Sequence, residues 1–356
     1  MHVERGPERD NRGMNTRPDN DDSRPRAASV FDVAKAAGVS HQTVSRVLND
    51  HPSLREETRR KVIQAMRELN YRPNAAARAL SSSRSRMIGI LSTSSGEYGP
   101  AASIAAVEAA ARSRGYSVTM ANADGLDPLS ITGAVNHLMN LAAEGLVVVA
   151  PQTQVLRALS ELTIGIPYVA LQAAGNAATE DLQSEQVMGA RLATSHLAGL
   201  GHVRIGHIAG PPDWLDAAQR LDGFQRELAN RDLGGSFVAV GDWSAASGHR
   251  AARELMAKGV TALFAANDQM ALGALNAAIS SGVKVPQDLS IMGFDDVPEA
   301  AFYTPPLTTI RQDFAEAGRR AVALLLHESE LPPSVQPQLV VRASTAQRVV
   351  SDIRHP

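Results

Sequence analysis

The sequence predicts two unlike parts in one chain: an N-terminal all-α helix-turn-helix headpiece with a hinge helix, and an α/β core of two doubly wound parallel-sheet subdomains. Three observations predict it. Between positions 30 and 80 apolar residues recur at helical spacing on either side of a Gly turn. From position 87 onward, short apolar runs alternate with helical segments, the rhythm of parallel sheets covered on both faces. Charge divides in the same way: residues 28–86 hold eleven basic against five acidic side chains, and residues 87–356 hold eighteen against twenty-six. A basic small part on an acidic large one suits a nucleic-acid reader carried by a body that does not itself bind nucleic acid.

Composition narrows the class. At 356 residues the chain suffices for two or three domains with sizeable cores. It has no Cys, which excludes disulfides, thiolate metal sites and cysteine nucleophiles. No run of ~18 apolar residues is present, and the N-terminus lacks the apolar centre of a signal peptide. The expectation is a cytoplasmic protein without a membrane partner. Residues 1–27 carry six Arg among six acids and almost no large apolar groups, the composition of a solvated, disordered tail.

In the segment 28–73, Val30, Val33, Ala34 and Ala37 mark one face of a first helix. Gly38 supplies a turn that a β-carbon would strain. Ser40 occupies an N-cap position, and Val44, Val47 and Leu48 form the apolar face of the second helix. Its opposite face shows His41, Gln42, Ser45 and Arg46, the layout of a recognition helix. Ser53 and Glu56 read as a capping box opening a third helix with Val62, Met66 and Leu69 inward. Asn70 is a left-handed stop and Pro73 prevents continuation. Residues 74–80 are an Ala-rich helix too short to persist alone, since helix nucleation is costly. Residues 81–86 read as a linker with Arg84 and Arg86 within reach of phosphates.

The core, 87–348, reads as strands at 87–91, 116–120, 145–150, 167–171, 204–209, 237–240, 262–265 and 290–294. Helices fall near 101–114, 130–142, 185–200, 218–230, 246–258 and 270–281. This is too long for one nucleotide-fold-like unit, so two subdomains are expected: lobe 1 at about 87–185 plus 312–341, lobe 2 at about 186–311 plus 342–348. Residues 349–356 form a tail. Ligands in such folds bind at the carboxyl ends of strands, here in the cleft between lobes.

DVAKAAGVSHQTVSRVLN (32–49) and ELNYRPNAAARAL (68–80) resemble the DNA-binding headpiece of the lactose-repressor/galactose-repressor family of bacterial transcription factors. GDWSAASG (241–248), ANDQMALGAL (266–275), GFDD (293–296) and YTPPLTTIRQDF (303–314) extend the resemblance to about 28–348. It implies a periplasmic-binding-protein-like core whose lobes close on a small molecule. It also implies double-stranded operator DNA as partner, a sugar as effector, and a homodimer reading an operator with two half-sites. No leucine heptad follows position 349, so no further assembly through a coiled coil is expected.

Gln42 can pair bidentately with an adenine edge and Arg46 with guanine O6 and N7. His41 can donate or accept, and its ring can contact a thymine methyl. The resemblance makes His41 and Gln42 the positions that set operator preference, and the family member nearest in pattern carries Tyr at the position of His41. Ser40, Thr43, Ser45 and Asn49 read as caps and phosphate contacts, with helix packing an equal reading for Thr43. In the hinge, Asn74, Ala77 and Leu80 match the segment that folds as a pair in the minor groove, where Leu80 would wedge a central base step.

A sugar site needs planar hydrogen-bonding groups and an aromatic or apolar face. Asn267, Asp295, Arg220 and Gln312 offer the first, Trp243 and Phe314 the second. By resemblance, Asn267 touches the ligand while Asp268 caps the following helix, and Trp243 stacks on the sugar. Gln172 stands where an Asp faces the sugar in the nearest family member, so hydroxyl preference can differ; the ligand expected is galactoside-like. No nucleophile–base constellation, metal-ligand spacing or phosphate loop accompanies Asp295 and Asp296, so neither an enzyme nor a cofactor is expected. His202 and His207 flank a strand on opposite sides and make a poor chelate. Two other classes fit less well: an exported sugar-binding transport protein would lack a headpiece, and an architectural DNA-binding protein would have no need of a polar cleft bearing Trp243.

Overall fold

In a computed structural model, which describes residues 28–48, 54–71, 84–93, 96–171 and 177–348 (the side chains of 177–184 excepted), the chain forms two units, described in turn. The headpiece holds α1 (Val30–Ala37), α2 (His41–Leu48) and α3 (Glu56–Glu68). Ser29 caps α1 in a reciprocal capping box with Asp32, a signal the sequence reading passed over. Gly38 closes the helix at φ 65°, the left-handed region expected of it. Ser40 Oγ accepts from Thr43 N at 3.2 Å and so caps α2. The core is small: Val33, Ala34, Val44, Val47, Val62 and Ala65 are buried, one pair from each helix. Asn70 is left-handed at φ 51°, as expected of a helix stop. The capping box expected at Ser53 is corrected. The third helix opens at Glu56 with Arg55 as N-cap and no side-chain cap, while Ser53 itself lies outside the described residues.

The core unit repeats one plan twice. Lobe 1 holds β1 (Met87–Ser92), α4 (Tyr98–Ser113), β2 (Ser117–Asn122), α5 (Pro128–Asn140), β3 (Gly145–Val149), α6 (Thr153–Glu161) and β4 (Tyr168–Ala170). Its parallel sheet has the order β2-β1-β3-β4. After α7 (Ala177–Gly199) come β5 (Ile205–Ala209), α8 (Leu215–Asn230), β6 (Phe237–Val240), α9 (Ala245–Ala257), β7 (Ala262–Ala265), α10 (Asp268–Ser280) and β8 (Ser290–Met292). Their parallel sheet, β6-β5-β7-β8, has the same order. Each sheet is covered on both faces, so β3 and β5 are wholly buried runs of Gly, Ala, Val, Ile and Leu, broken in β5 only by His207.

Five elements were not anticipated: α6, a short 3-10 helix (Pro298–Phe302), β9 (Thr309–Arg311), α11 (Phe314–Leu325) and β10 (Gln338–Val340). The two strands have three residues each, too short for an alternation to declare itself. β10 pairs antiparallel with β9, and Leu339 packs on the lobe 2 core beside Phe294 and Ile310. The chain therefore returns to lobe 2 by Gln338, ahead of the expected boundary at 342. Arg84 and Arg86 are held on lobe 1 as well: Arg84 donates to Tyr116 Oη and pairs with Glu144, and Arg86 N donates to Glu144 Oε1. The Arg84 guanidinium is thus engaged on lobe 1, whereas the Arg86 bond to Glu144 is made by its backbone.

Candidate functional site

The headpiece presents its polar face on α2. His41, Gln42 and Arg46 are exposed, while Thr43 and Ser45 are half-buried beside Val44 and Val47. Among the described residues none of Gln42, Ser45 and Arg46 is committed to a side-chain hydrogen bond or ion pair. Ser40 and Thr43 are joined, Oγ to Oγ1, at 3.0 Å, so their first role is to start the helix. A residue missed from the sequence joins this face: Phe31 is 65% exposed and its ring lies 5.3 Å from that of His41. An apolar side chain at an i position outside the Val30/Val33/Ala34 stripe was the available signal. Asn49, Asn74, Ala77 and Leu80 lie outside the described residues, as does Gln172.

The second site assembles where strands of the lobe 2 sheet end. Trp243 follows β6, Asn267 follows β7 and Asp295 follows β8, while Arg220 projects from the second turn of α8. Parallel sheets leave their strand ends and helix starts on one edge, which brings distant positions together. The backbone there is strained. Trp243, Asp295 and Asp296 have φ of 71°, 105° and 56°, whereas Asn70, Ala142, Asp232 and His327, the helix-end positions among the non-glycine residues of positive φ, are ordinary left-handed helix stops. The six-membered ring of Trp243 packs against Gly210, where a β-carbon would collide with it. Its indole lies 5.2 Å from that of Trp214, and its Nε1 is buried without a hydrogen-bond partner.

A closed ring of polar side chains spans the cleft. Arg220 Nε donates to Gln186 Oε1 at 2.9 Å, Gln186 donates to Gln312 Oε1, and Gln312 Nε2 donates to Asp295 Oδ1 at 2.7 Å. Arg220 Nη2 completes it at 3.4 Å from the same oxygen, with both side chains buried. The guanidinium also sits 3.9 Å above the Phe294 ring and donates to the Ala266 carbonyl. Burial pushes the Asp295 carboxyl up to about 6, against the opposing pull of Arg220 and Gln312. Gln186 is a member that sequence reasoning missed, because nothing in its neighbourhood distinguishes it from a surface helix residue.

Asn267 takes the capping role expected of Asp268 and also lines the cleft, whereas Asp268 does neither. Asn267 is the cap of α10, its Oδ1 accepting from Met270 N at 2.9 Å, and its amide donates to Trp243 O and Gln269 Oε1. Asp268 instead accepts from Val297 N at 2.8 Å and Thr309 Oγ1 at 2.6 Å, pinning two segments behind the cleft. The cap belongs to the last non-helical residue, and α10 begins at Asp268, one residue earlier than the cap reading required.

Two small cavities lie in the cleft. One, of about 60 Å³, is lined by Gln186, Asp216, Arg220, Gln312 and Phe314 among others. The other, of about 30 Å³, is lined by Tyr98, Trp214, Asp216, Trp243, Asn267 and Asp295 among others. Volumes of this size hold a few waters, not a sugar ring. The lobes touch across the opening: Gln152 and Trp214 form an antiparallel bridge, Leu215 N donates to Pro151 O at 2.9 Å, and Thr153 N to Asp213 O at 3.0 Å. This is a closed lobe arrangement. His202 is spent on Thr261 and Ser290, and His207 is sealed between Phe224 and Phe264, so the two do not form a chelate. No cluster of metal-ligating residues occurs among the described residues.

A helix-turn-helix headpiece joined in one chain to a two-lobed parallel-sheet core with a polar, aromatic cleft defines a DNA-binding regulator with an effector-binding body. Comparison with known proteins agrees. Residues 29–74 match the model of the bacterial regulatory proteins of the lacI family, and residues 194–345 that of the periplasmic binding protein-like domain. The chain is 36% identical over 305 residues to the lactose operon repressor of Escherichia coli K12, covering 85% of both chains. It is 35% identical over 331 residues to the HTH-type transcriptional repressor PurR of Haemophilus influenzae, covering 89% of this chain and 98% of that one. The crystal structure of the Lac repressor dimer bound to operator and the anti-inducer ONPF superposes with a TM-score of 0.77 at 33% identity, covering 90% of this chain and all of that one. The chain belongs to the lacI family, as a DNA-binding transcriptional repressor. Among the described residues no helix is long and apolar enough to cross a membrane.

Proposed function

We propose that this repressor binds, as a homodimer, an operator of two pseudo-symmetric half-sites, and that a small galactoside-like sugar in the interlobe cleft releases it. His41, Gln42 and Arg46 name bases, Ser40, Thr43, Ser45 and Asn49 fix register on phosphates, and Asn74, Ala77 and Leu80 order as paired hinge helices in the minor groove. Arg220, Asn267, Asp295, Gln312 and Gln172 meet hydroxyls, while Trp243 and Phe314 cover ring C–H groups. The observation that carries the ligand reading is the convergence of Arg220, Asp295, Gln312, Trp243 and Phe314, from four separate stretches of chain, on one pair of cavities. Asp295 Oδ1 is committed to the polar ring, and its second oxygen stays available to a hydroxyl donor.

An apolar patch supports the dimer. Leu272 and Ile279, one face of α10, are 40% and 62% exposed, and Ile279 shares a groove with Thr304 and Pro305. Release follows if ligand stabilises a lobe arrangement in which the hinges cannot pair; a few kcal/mol of coupling suffices. The test is a gel-shift titration on an operator selected from random duplexes, with methyl galactoside, lactose and ribose as candidate effectors. Release from a dyad-symmetric site is expected. Tighter DNA binding with sugar would reverse the sign of the switch, and selection of a lone half-site would remove the dimer.

A further inference from the structure

Asp216 was not singled out by the sequence, yet it lines both cleft cavities. It stands in the first turn of α8, one turn before Arg220, and is only partly accessible. Among the described residues it takes no hydrogen bond and no ion pair, although a first-turn acid is ordinarily placed to cap or to pair. Burial raises its carboxyl above the usual carboxylate range, with Arg220 opposing. Glu97, on the rim of the smaller cavity, is similarly uncommitted. Against them the two cavity linings contain a single cation, Arg220, already engaged by Asp295, Gln186, the Ala266 carbonyl and the Phe294 face. The wall also holds one unsatisfied donor, Trp243 Nε1.

We infer that Asp216 makes the cleft a charge filter: it accepts hydroxyl hydrogens of an uncharged sugar and excludes phosphorylated and acidic sugars. This rests on the sugar reading above and restricts it to neutral members. A phosphate or carboxylate entering here would meet Asp216, Glu97 and Asp295 in a poorly solvated space, with the guanidinium's donors already spent. Like charges brought together under those conditions repel strongly. A neutral pyranoside supplies what the site lacks, donors for the Asp216 carboxylate and an acceptor for the Trp243 indole, and its C–H faces suit the two indoles.

The chain's two Trp residues, Trp214 and Trp243, both line this cavity, so intrinsic fluorescence reads the site directly. The full-length protein is titrated with methyl galactoside, lactose and ribose, and in parallel with galactose 6-phosphate, galacturonate and inorganic phosphate. Saturable change with a neutral sugar and none with the anions at equal concentration is the expected result. Asp216→Asn should weaken the neutral sugar roughly ten- to hundredfold, the loss of a hydrogen bond to a charged acceptor. It should also narrow the gap between the sugar and its 6-phosphate, with circular dichroism melting as the check on folding. Saturable binding of an anion as tight as that of its neutral counterpart overturns the filter while leaving a sugar site intact. Unchanged affinities in Asp216→Asn make the residue a mere first-turn acid and overturn it too. Silence of every neutral sugar overturns the sugar reading itself.

Discussion

On the headpiece, Gln42 and Arg46 are exposed and hold no side-chain hydrogen bond among the described residues. In the cleft, Arg220, Asp295 and Gln312 are buried or half-buried and satisfy one another in a ring. The groups of the α2 face are solvated, so a duplex bound there would meet them without displacing internal bonds. The ring is satisfied without ligand, so a ligand that engages Arg220 or Gln312 must replace internal bonds, while Trp243 Nε1 is free to take a new one. It follows that a DNA-face substitution acts on binding alone, whereas a cleft substitution acts on stability and binding together.

The largest effect that would test this contrast is expected from Arg220→Leu. It leaves Asp295 buried at 5% side-chain exposure without its cation and removes the contact above Phe294. Breaking a buried pair from one side costs about 3–5 kcal/mol. Urea unfolding of the core should show it, and a loss under 1 kcal/mol would mean the ring is not satisfied internally. Gly210→Ala comes next. Its methyl group has no room against the Trp243 ring, and overpacking of this kind costs about 1–3 kcal/mol. Trp fluorescence should shift with the fall in stability, since the ring must move. A stability and spectrum like the wild type's would place Trp243 elsewhere.

Arg46→Ala probes the other side of the comparison. A bidentate guanine contact is worth about 1–3 kcal/mol of discrimination, so operator affinity should drop by roughly ten- to hundredfold at fixed salt. Stability should stay within about 0.5 kcal/mol, because Arg46 is exposed and lies off the Val33–Val44–Val62 core. A large melting change with intact operator binding would invert the assignment of this helix face.

The same contrast explains what the sequence disclosed. The headpiece was legible almost residue by residue, because its function sits on local periodicity: Gly38, Ser40 and the α2 apolar stripe fall where helix rules place them. The exception was the start of α3, where Ser53 and Glu56 satisfied the capping pattern but the chain opened the helix later. In the core, long buried strands and helices were legible, while β9 and β10, of three residues each, depend on pairing across the chain. Cleft residues carried by a motif resemblance, such as Arg220 and Trp243, were found. Gln186 and Asp216 sit on helices with no local mark, and only the strand-end geometry reveals them. The cap fell to Asn267 and not to Asp268 because a one-residue shift in a helix start moves the cap.

The smallest effect expected, and the most discriminating in sign, comes from Asp268. Burial, with Asp295 nearby, pushes its carboxyl from 3.8 up to about 8 despite the bonds from Thr309 and Val297. Between those values the folded chain holds a proton that the unfolded chain has released, so stability falls as pH rises. His207 works the other way: burial lowers its imidazole from 6.5 to about 4, so its contribution is present above pH 6.5 and is lost as pH falls through 4. Asp295, at about 6, loses its contribution between 3.8 and 6. Above pH 6.5 the proton held by Asp268 still counts, with a slope of up to about 1.4 kcal/mol per pH unit. Asp268→Asn keeps an acceptor for Val297 N and turns its amide to the Thr309 hydroxyl, so the fold survives without the titration. Urea midpoints of the wild type should decline from pH 6.5 to 8 and those of Asp268→Asn should not. Parallel declines would show that Asp268 is already ionised in the fold, and that the burial around it is looser than its contacts with Val297 and Thr309 require.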